Sequence, residues 1–163
     1  AIKHKQTLLD YQPVMMSSDP RQVGFYEGLI RVIDATGRII PARDFIHVIE
    51  DTKLGRRIDS LSLSLGMQCL FNRPNLRLYI TMSARSIGFG PWKRNFNHWL
   101  ESDETIAERL ILEITESSEM GEPQKVVKFM GELQLLGVSF ALDDFWIRSH
   151  CIMLLQRHHV WRS

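Results

Sequence analysis

Short apolar runs alternate with segments of helical periodicity along this 163-residue chain. The apolar runs predict five strands, which cover residues 11–16, 23–32, 76–82, 110–115 and 138–142. Apolar positions three and four residues apart predict helices over residues 41–55, 57–71, 92–100 and 124–136. Residues 1–10 are interpreted as a short lead-in helix and residues 33–40 as a loop. Gly55 is interpreted as the end of the first helix, and Gly137 as the residue that follows the last one.

The order of these elements predicts an α/β fold. A short polar turn joins the first two strands, so they should pair as an antiparallel hairpin. Single helices separate the later strands, which should therefore be parallel with right-handed crossovers. An eight-stranded barrel takes about 250 residues, more than this chain has. The sequence therefore predicts an incomplete TIM-like (β/α) barrel, with an antiparallel first strand and about five strands.

Composition and charge narrow the class of protein. Lys plus Arg is 20 and Asp plus Glu is 19, so the formal net charge is +1. A general DNA-binding protein would carry a clear basic excess, and none is present. Cys69 and Cys151 are far apart and lack the spacing of metal ligands, which suits a reducing compartment. No apolar run is long enough for a membrane span, and no signal peptide is visible. We therefore expect a cytoplasmic protein.

Four acidic residues are candidates for a metal-binding or catalytic role, and each lies in or just after a predicted strand. They are Glu27, Glu113, Asp143 and Asp144. In a parallel barrel the carboxyl ends of the strands meet at one mouth, so these oxygens could bind Mg²⁺ or Mn²⁺ together. Two such ions could clamp a phosphodiester and activate a water molecule. The alternative is that single acids are solvated, and Glu116, which follows its strand, is better explained in that way.

Six motifs in order give the chain a resemblance to a known family. They are Tyr11-Gln12-Pro13-Val14, Glu27-Gly28-Leu29-Ile30-Arg31, Pro41 with Asp44-Phe45-Ile46, Ile80-Thr81-Met82-Ser83-Ala84, Leu112-Glu113-Ile114-Thr115-Glu116 and Leu142-Asp143-Asp144-Phe145. The chain resembles the EAL domain, a bacterial signalling module that hydrolyses cyclic di-GMP. The resemblance implies metal ligands at Glu27, Glu113 and Asp143, with Asp144 holding a second metal or its water.

The same resemblance implies two contacts with the nucleotide. Arg31 would bind a phosphate of cyclic di-GMP, and Gln12 would contact a guanine or its neighbourhood. Each residue also has a plain structural explanation. Arg31 could pair with a nearby carboxylate, and Gln12 could be a structural side chain at a strand end.

The sequence departs from the family pattern at two places. Thr81 stands where the family has an Asn ligand, and a hydroxyl is a shorter and poorer metal ligand than an amide oxygen. After Phe145 the family continues with a Gly-rich loop and further catalytic residues, whereas residues 146–163 contain no Gly, Lys or acid. We therefore divide the chain into a partial EAL-like domain over residues 1–145 and an atypical tail over residues 146–163.

A shifted reading frame would explain this tail. The single codon of Trp146, read one nucleotide later, begins with GG and so encodes Gly, as the family requires after Phe145. The DNA sequence of the gene tests this hypothesis, which fails if the shifted frame restores no further motif.

Three functions are compatible with the sequence. The first is a metal-dependent cyclic di-GMP phosphodiesterase that is impaired or inactive, because the second half of its site is missing. The second is a non-catalytic module that senses the nucleotide or binds another protein. The third is residual or different phosphodiesterase activity through the four acids. In each case the open barrel should be covered by a second copy of the chain, by a partner protein, or by the chain's own tail as a helix.

Overall fold

The computed structural model describes residues 6–16, 18–115 and 122–141. The strands in these ranges are β1 (Thr7–Met15), β2 (Val23–Ile33), β3 (Ile39–Pro41), β4 (Leu78–Ser83), β5 (Leu110–Thr115) and β6 (Ser139–Ala141). The α-helices there are α1 (Ile46–Ile49), α2 (Lys53–Asn72), α3 (Gly90–Ser102), α4 (Ile106–Arg109) and α5 (Pro123–Leu135). This part of the chain thus has six strands, one more than predicted, because the three-residue β3 lies partly in the predicted loop.

The antiparallel hairpin of β1 and β2 is confirmed. The two strands pair along almost their whole length, and Gln12 lies opposite Glu27. The predicted lead-in helix is wrong from Thr7 onward, because β1 begins there. Thr7 and Leu9 are buried while Leu8 between them is only partly so, which is the alternation of a strand.

The sheet forks at the middle of β2. One edge of β2 is occupied by β1 from Val23 to Val32, so β3 and β4 share the other edge. The parallel pairing of β4 with β2 ends at Gly28 and Ile80, and the pairing with β3 begins only at Arg31. The carboxyl half of β4 therefore diverges from β2 and leaves a gap between the two strands.

The predicted parallel pairing of the later strands is confirmed for β4, β5 and β6. The order across the sheet is β1-β2-β4-β5-β6, with β3 beside β2. Residues alternate along β4 and β5 between fully buried positions and partly exposed ones. The buried positions face the helices and form the core, as Leu78, Ile80, Leu112 and Ile114 do. The partly exposed positions belong to the opposite side, which we call the inner face.

The ends of α2 and α5 test the predicted roles of two glycines, Gly55 and Gly137. Thr52 caps α2, since its hydroxyl accepts hydrogen bonds from the backbone N–H groups of Leu54 and Gly55. The prediction that Gly55 ends a helix is wrong, because it lies in the first turn of α2. Gly137 follows α5 with φ of 103°, and its predicted role is confirmed.

The helices cover one side of the sheet only. Among the described residues, α2, α3 and α5 bury the core cluster, and the sheet does not close on itself. This open sheet with helices on one side agrees with the predicted incomplete (β/α) barrel. No helix in residues 6–16, 18–115 or 122–141 is long and apolar enough to cross a membrane.

Candidate active site on the inner face

Glu27 and Glu113 both lie on the inner face, Glu27 near the middle of its strand and Glu113 in the carboxyl half of its strand. Glu27 is in β2 and Glu113 in β5, with β4 between them. Thr81 of β4 is paired directly with Glu113, and Glu27 is paired with Tyr79 two residues earlier. Because side chains two residues apart share a face, all four belong to one surface. The structure therefore brings together three of the predicted site residues.

Thr81 is joined to Glu113 by a hydrogen bond. The Thr81 hydroxyl lies 3.0 Å from Oε2 of Glu113 and donates to it. Both side chains are partly exposed, so the carboxylate keeps a second oxygen and some access from the inner face. In this chain the residue at the family's Asn position thus supports the neighbouring carboxylate.

Burial and the charge of Glu113 both change the pKa of Glu27. Partial burial raises the pKa of Glu27 above its ordinary value, and the negative charge of Glu113 raises it further. Two half-buried carboxylates that repel each other are a favourable arrangement for a divalent cation, which would relieve both effects.

The two predicted nucleotide contacts have different surroundings. Gln12 is exposed on β1, opposite Glu27, and therefore lies at the rim of the acidic pair. Arg31 is 18% exposed, and its Nη2 lies 3.2 Å from Oδ2 of Asp10 in an ion pair. The alternative that Arg31 pairs with a nearby carboxylate thus describes this structure. Asp10 is 60% exposed, so the pair is weak and a phosphate could compete for the guanidinium.

A cleft of about 260 Å³ opens at the fork between β2 and β4. Its lining is mostly apolar and includes Thr81 from β4 and two acids, Glu50 and Asp59. Asp59 is only 8% exposed and comes from the second turn of α2. Sequence reasoning missed this residue, although a signal existed: Asp59 is spaced by four from Gly55 and from Leu63, within the buried stripe of α2.

Asp59 accepts two hydrogen bonds, one from the last residue of β4 and one from the turn that follows it. Its Oδ2 lies 3.0 Å from the backbone nitrogen of Ser83 and 2.5 Å from the Ser86 hydroxyl. The pKa of Asp59 is raised to about 6, chiefly by burial; the two hydrogen bonds act in the opposite direction, and the nearby charge of Glu50 adds to the rise. The folded protein thus loses solvation free energy by burying the Asp59 carboxylate.

The raised pKa of Asp59 predicts a specific dependence of stability on pH. The folded state binds more protons than the unfolded state between about pH 4 and 6, so the free energy of unfolding falls as the pH rises through this range. For one buried carboxyl shifted in this way, the change amounts to about 3 kcal/mol. Asp59→Asn should remove it. Urea unfolding of both proteins from pH 4 to 8 measures the difference, and curves that stay parallel would contradict the prediction.

The remaining predicted ligands, Asp143 and Asp144, lie outside the described residues. The same is true of Glu116 and of the tail over residues 146–163. Within the described ranges, no group of three or more His, Cys, Asp or Glu residues could hold a metal ion. The described residues therefore contribute one pair of carboxylates, with the Thr81 hydroxyl beside it.

Sequence comparisons show which known proteins the chain resembles. A profile of the EAL domain matches residues 1–160. The chain is 30% identical to the cyclic di-GMP phosphodiesterase PdeB of Shewanella oneidensis, over 89% of this chain and 17% of PdeB. It is 26% identical to the cyclic di-GMP phosphodiesterase NbdA of Pseudomonas aeruginosa, over 96% of this chain and 21% of NbdA. The chain thus spans about a fifth of the length of these relatives.

Solved structures confirm the fold. An EAL domain protein from Listeria monocytogenes superposes with a TM-score of 0.70 at 22% identity, over 96% of this chain and 62% of that one. The EAL domain of Xanthomonas citri FimX, in complex with cyclic di-GMP, gives a TM-score of 0.75 at 20% identity, over 95% of this chain and 61% of that one. The described sheet and helices therefore correspond to part of a TIM-like barrel.

Proposed function

Because the chain belongs to the EAL domain family, we propose that its inner face binds cyclic di-GMP, and that any hydrolysis is slow. The observation that carries the proposal is the pair of half-buried carboxylates, Glu27 and Glu113, on adjoining parts of this face. Gln12 and Arg31 flank the pair on β1 and β2. Acids at the centre with a guanidinium at the side suit a phosphodiester that is bound together with a cation.

The described donors fit a hard divalent cation, Mg²⁺ or Mn²⁺. Carboxylate oxygens are ligands that such ions prefer, and the repulsion between Glu27 and Glu113 supplies a reason to bind one. Glu27 and Glu113 would hold the ion, with Asp143 and Asp144 as further ligands proposed from the sequence. When bound, the ion would supply Lewis-acid chemistry toward the phosphodiester. The chain's own contribution is to orient the nucleotide through Arg31.

Calorimetry with cyclic di-GMP tests the proposal, with and without Mg²⁺ or Mn²⁺, followed by product analysis of the same sample. We expect binding that is stronger with the cation, together with little or no linear dinucleotide. Rapid formation of linear product would contradict the slow hydrolysis, and the absence of binding under all conditions would contradict the function.

A non-catalytic sensor is the second candidate function, and Thr81 favours it. Its hydroxyl is committed to Glu113, so it donates where the family's amide oxygen would bind metal. Such a site can hold the nucleotide through Arg31 while it holds the cation weakly. Binding of cyclic di-GMP that is independent of Mg²⁺ and Mn²⁺ would support this candidate over the first.

Replacement of Thr81 by Asn should strengthen cation binding. The longer side chain can present an amide oxygen on the inner face, so we expect the affinity for Mn²⁺ to rise by roughly tenfold. Thr115→Asn is the matched control, because Thr115 lies on the same face one strand away, paired with Ser83. Mn²⁺ titration by calorimetry measures both variants. An equal gain in the two, or no gain at Thr81, would contradict the prediction.

We also propose that association covers the inner face. Within the described ranges no element packs over this side of the sheet, and Phe25 and Tyr79 stack there at 5.7 Å while only partly buried. A second copy of the chain or a partner protein would remove such apolar surface from water. Sedimentation at high protein concentration tests self-association, and a strictly monomeric profile would count against a homo-oligomer.

A further inference from the structure

We infer that Asp59 is a positioning residue, which takes the place of a missing strand partner and thereby holds Thr81 against Glu113. The inference deepens the proposed function, because it concerns how the same site is supported. It rests on the fork in the sheet, on the hydrogen bonds of one buried carboxylate, and on the order of residues along β4.

The fork leaves the end of β4 without a partner on one side. β4 is paired with β5 up to Ser83, but its pairing with β2 stops at Ile80. A backbone N–H group that points toward the gap needs another acceptor, since an unpaired buried donor is costly. The N–H of Ser83 finds this acceptor in Oδ2 of Asp59, at 3.0 Å.

The same oxygen holds the loop that follows the strand. The Ser86 hydroxyl, whose residue is 1% exposed, donates to it at 2.5 Å. In turn, the Ser83 hydroxyl accepts from the backbone nitrogen of Arg85 at 3.2 Å. One carboxylate on α2 thus keeps β4 extended to its last residue and fixes the turn after it.

The geometry of the acidic pair depends on this end of β4. Thr81 lies two residues before Ser83 on the same face, and its hydroxyl donates to Glu113. If β4 frayed from Ser83 backward, Thr81 would lose its alignment with Glu113. The carboxylate of Asp59 is kept in a poorly solvated place, which fits a role in precise placement, because burial without that role only costs free energy.

Asp59→Leu and Asp59→Asn test the inference on the full chain. Leu removes the acceptor at similar size, whereas Asn keeps one oxygen for the Ser83 N–H group. Hydrogen exchange should speed up at least tenfold in Thr81–Ser83 of the Leu variant and stay unchanged in β5 residues 110–112. Affinity for cyclic di-GMP with Mn²⁺ should fall about tenfold or more in that variant, and recover to within about threefold in the Asn variant.

Asp51→Asn is the control, since Asp51 forms an exposed ion pair with Arg85 of the same loop at 2.8 Å. It should leave exchange and affinity unchanged. Unchanged exchange in Asp59→Leu, or faster exchange with unchanged affinity, would overturn the inference. A wild-type chain that binds no nucleotide would contradict the proposed function alone, because exchange in residues 81–83 still decides whether Asp59 holds β4.

Discussion

Replacement of Glu113 by Gln is expected to lower the affinity for Mn²⁺ by at least about tenfold and to remove any cation-dependent hydrolysis of cyclic di-GMP. The amide keeps an oxygen that can accept the hydrogen bond of Thr81, so the strand pairing should persist. The change removes one of the two causes that raise the pKa of Glu27, which should therefore fall toward its ordinary value. Calorimetry measures the first effect, and carboxyl NMR titration measures the second.

Glu132→Gln is the matched control for this variant. Glu132 is exposed on α5, so its replacement makes the same change of charge away from the inner face. We expect no change in Mn²⁺ affinity and none in the pKa of Glu27. Equal losses in both variants would show that net charge, rather than a site at Glu113, governs cation binding.

Replacement of Gly55 by Ala is expected to destabilise the fold by about 1–3 kcal/mol. A Cβ at this position would lie 2.5 Å from the carbonyl oxygen of Ile49 and 2.8 Å from the Cα of Glu50. Both are backbone atoms, so the clash can be relieved only if α1 moves away from α2. Chemical unfolding measures the loss directly.

Gly131→Ala provides the contrast, because it makes the same substitution in a helix with no atom near the new Cβ. There the gain in helix propensity is unopposed, and we expect stabilisation by about 0.5–1 kcal/mol. Opposite signs at the two glycines would confirm that close approach, and not propensity, makes Gly necessary at position 55. A stabilised Gly55→Ala variant would contradict the packing of α1 on α2.

The parts of the fold that depend on the local pattern of residue types were predicted best from the sequence. Leu110–Thr115 is a strand with the bounds that were predicted, because its short run of large apolar residues, two of them β-branched, is typical of a strand inside a sheet. Gly137 ends α5 as expected, because a residue with positive φ there favours glycine. The inner-face acids Glu27 and Glu113 could be predicted as neighbours, because the sequence places each of them in a strand of one parallel sheet.

Features that depend on contacts between distant segments could not be predicted. The short strand β3 exists because β4 leaves the edge of β2 after Gly28, and no local pattern shows where strands part. Gly55 has the composition of a helix end, yet what requires it is the backbone of α1 beside it. Asp59 was missed because one acid in a helical stripe does not reveal which loop it meets.

The ion pair between Arg31 and Asp10 is another contact between distant segments that the sequence did not predict specifically. The resemblance implied a phosphate contact, and the structure shows Asp10 as its present partner. The two findings are compatible, since Asp10 is largely exposed and a dianionic nucleotide can compete for the guanidinium. The role of Arg31 depends on whether Asp10 or a phosphate of the nucleotide binds its guanidinium. The spacing of residues in the sequence does not show which of the two does.

The proposed nucleotide site is the inner face around Glu27 and Glu113. An NMR titration of the isotope-labelled chain with cyclic di-GMP and Mg²⁺ tests it most directly. We expect the shifts to concentrate at Gln12, Glu27, Arg31, Thr81 and Glu113, while residues of α5 such as Glu132 stay unchanged. Shifts confined to the helix-covered side, with none at Glu27 or Glu113, would contradict it.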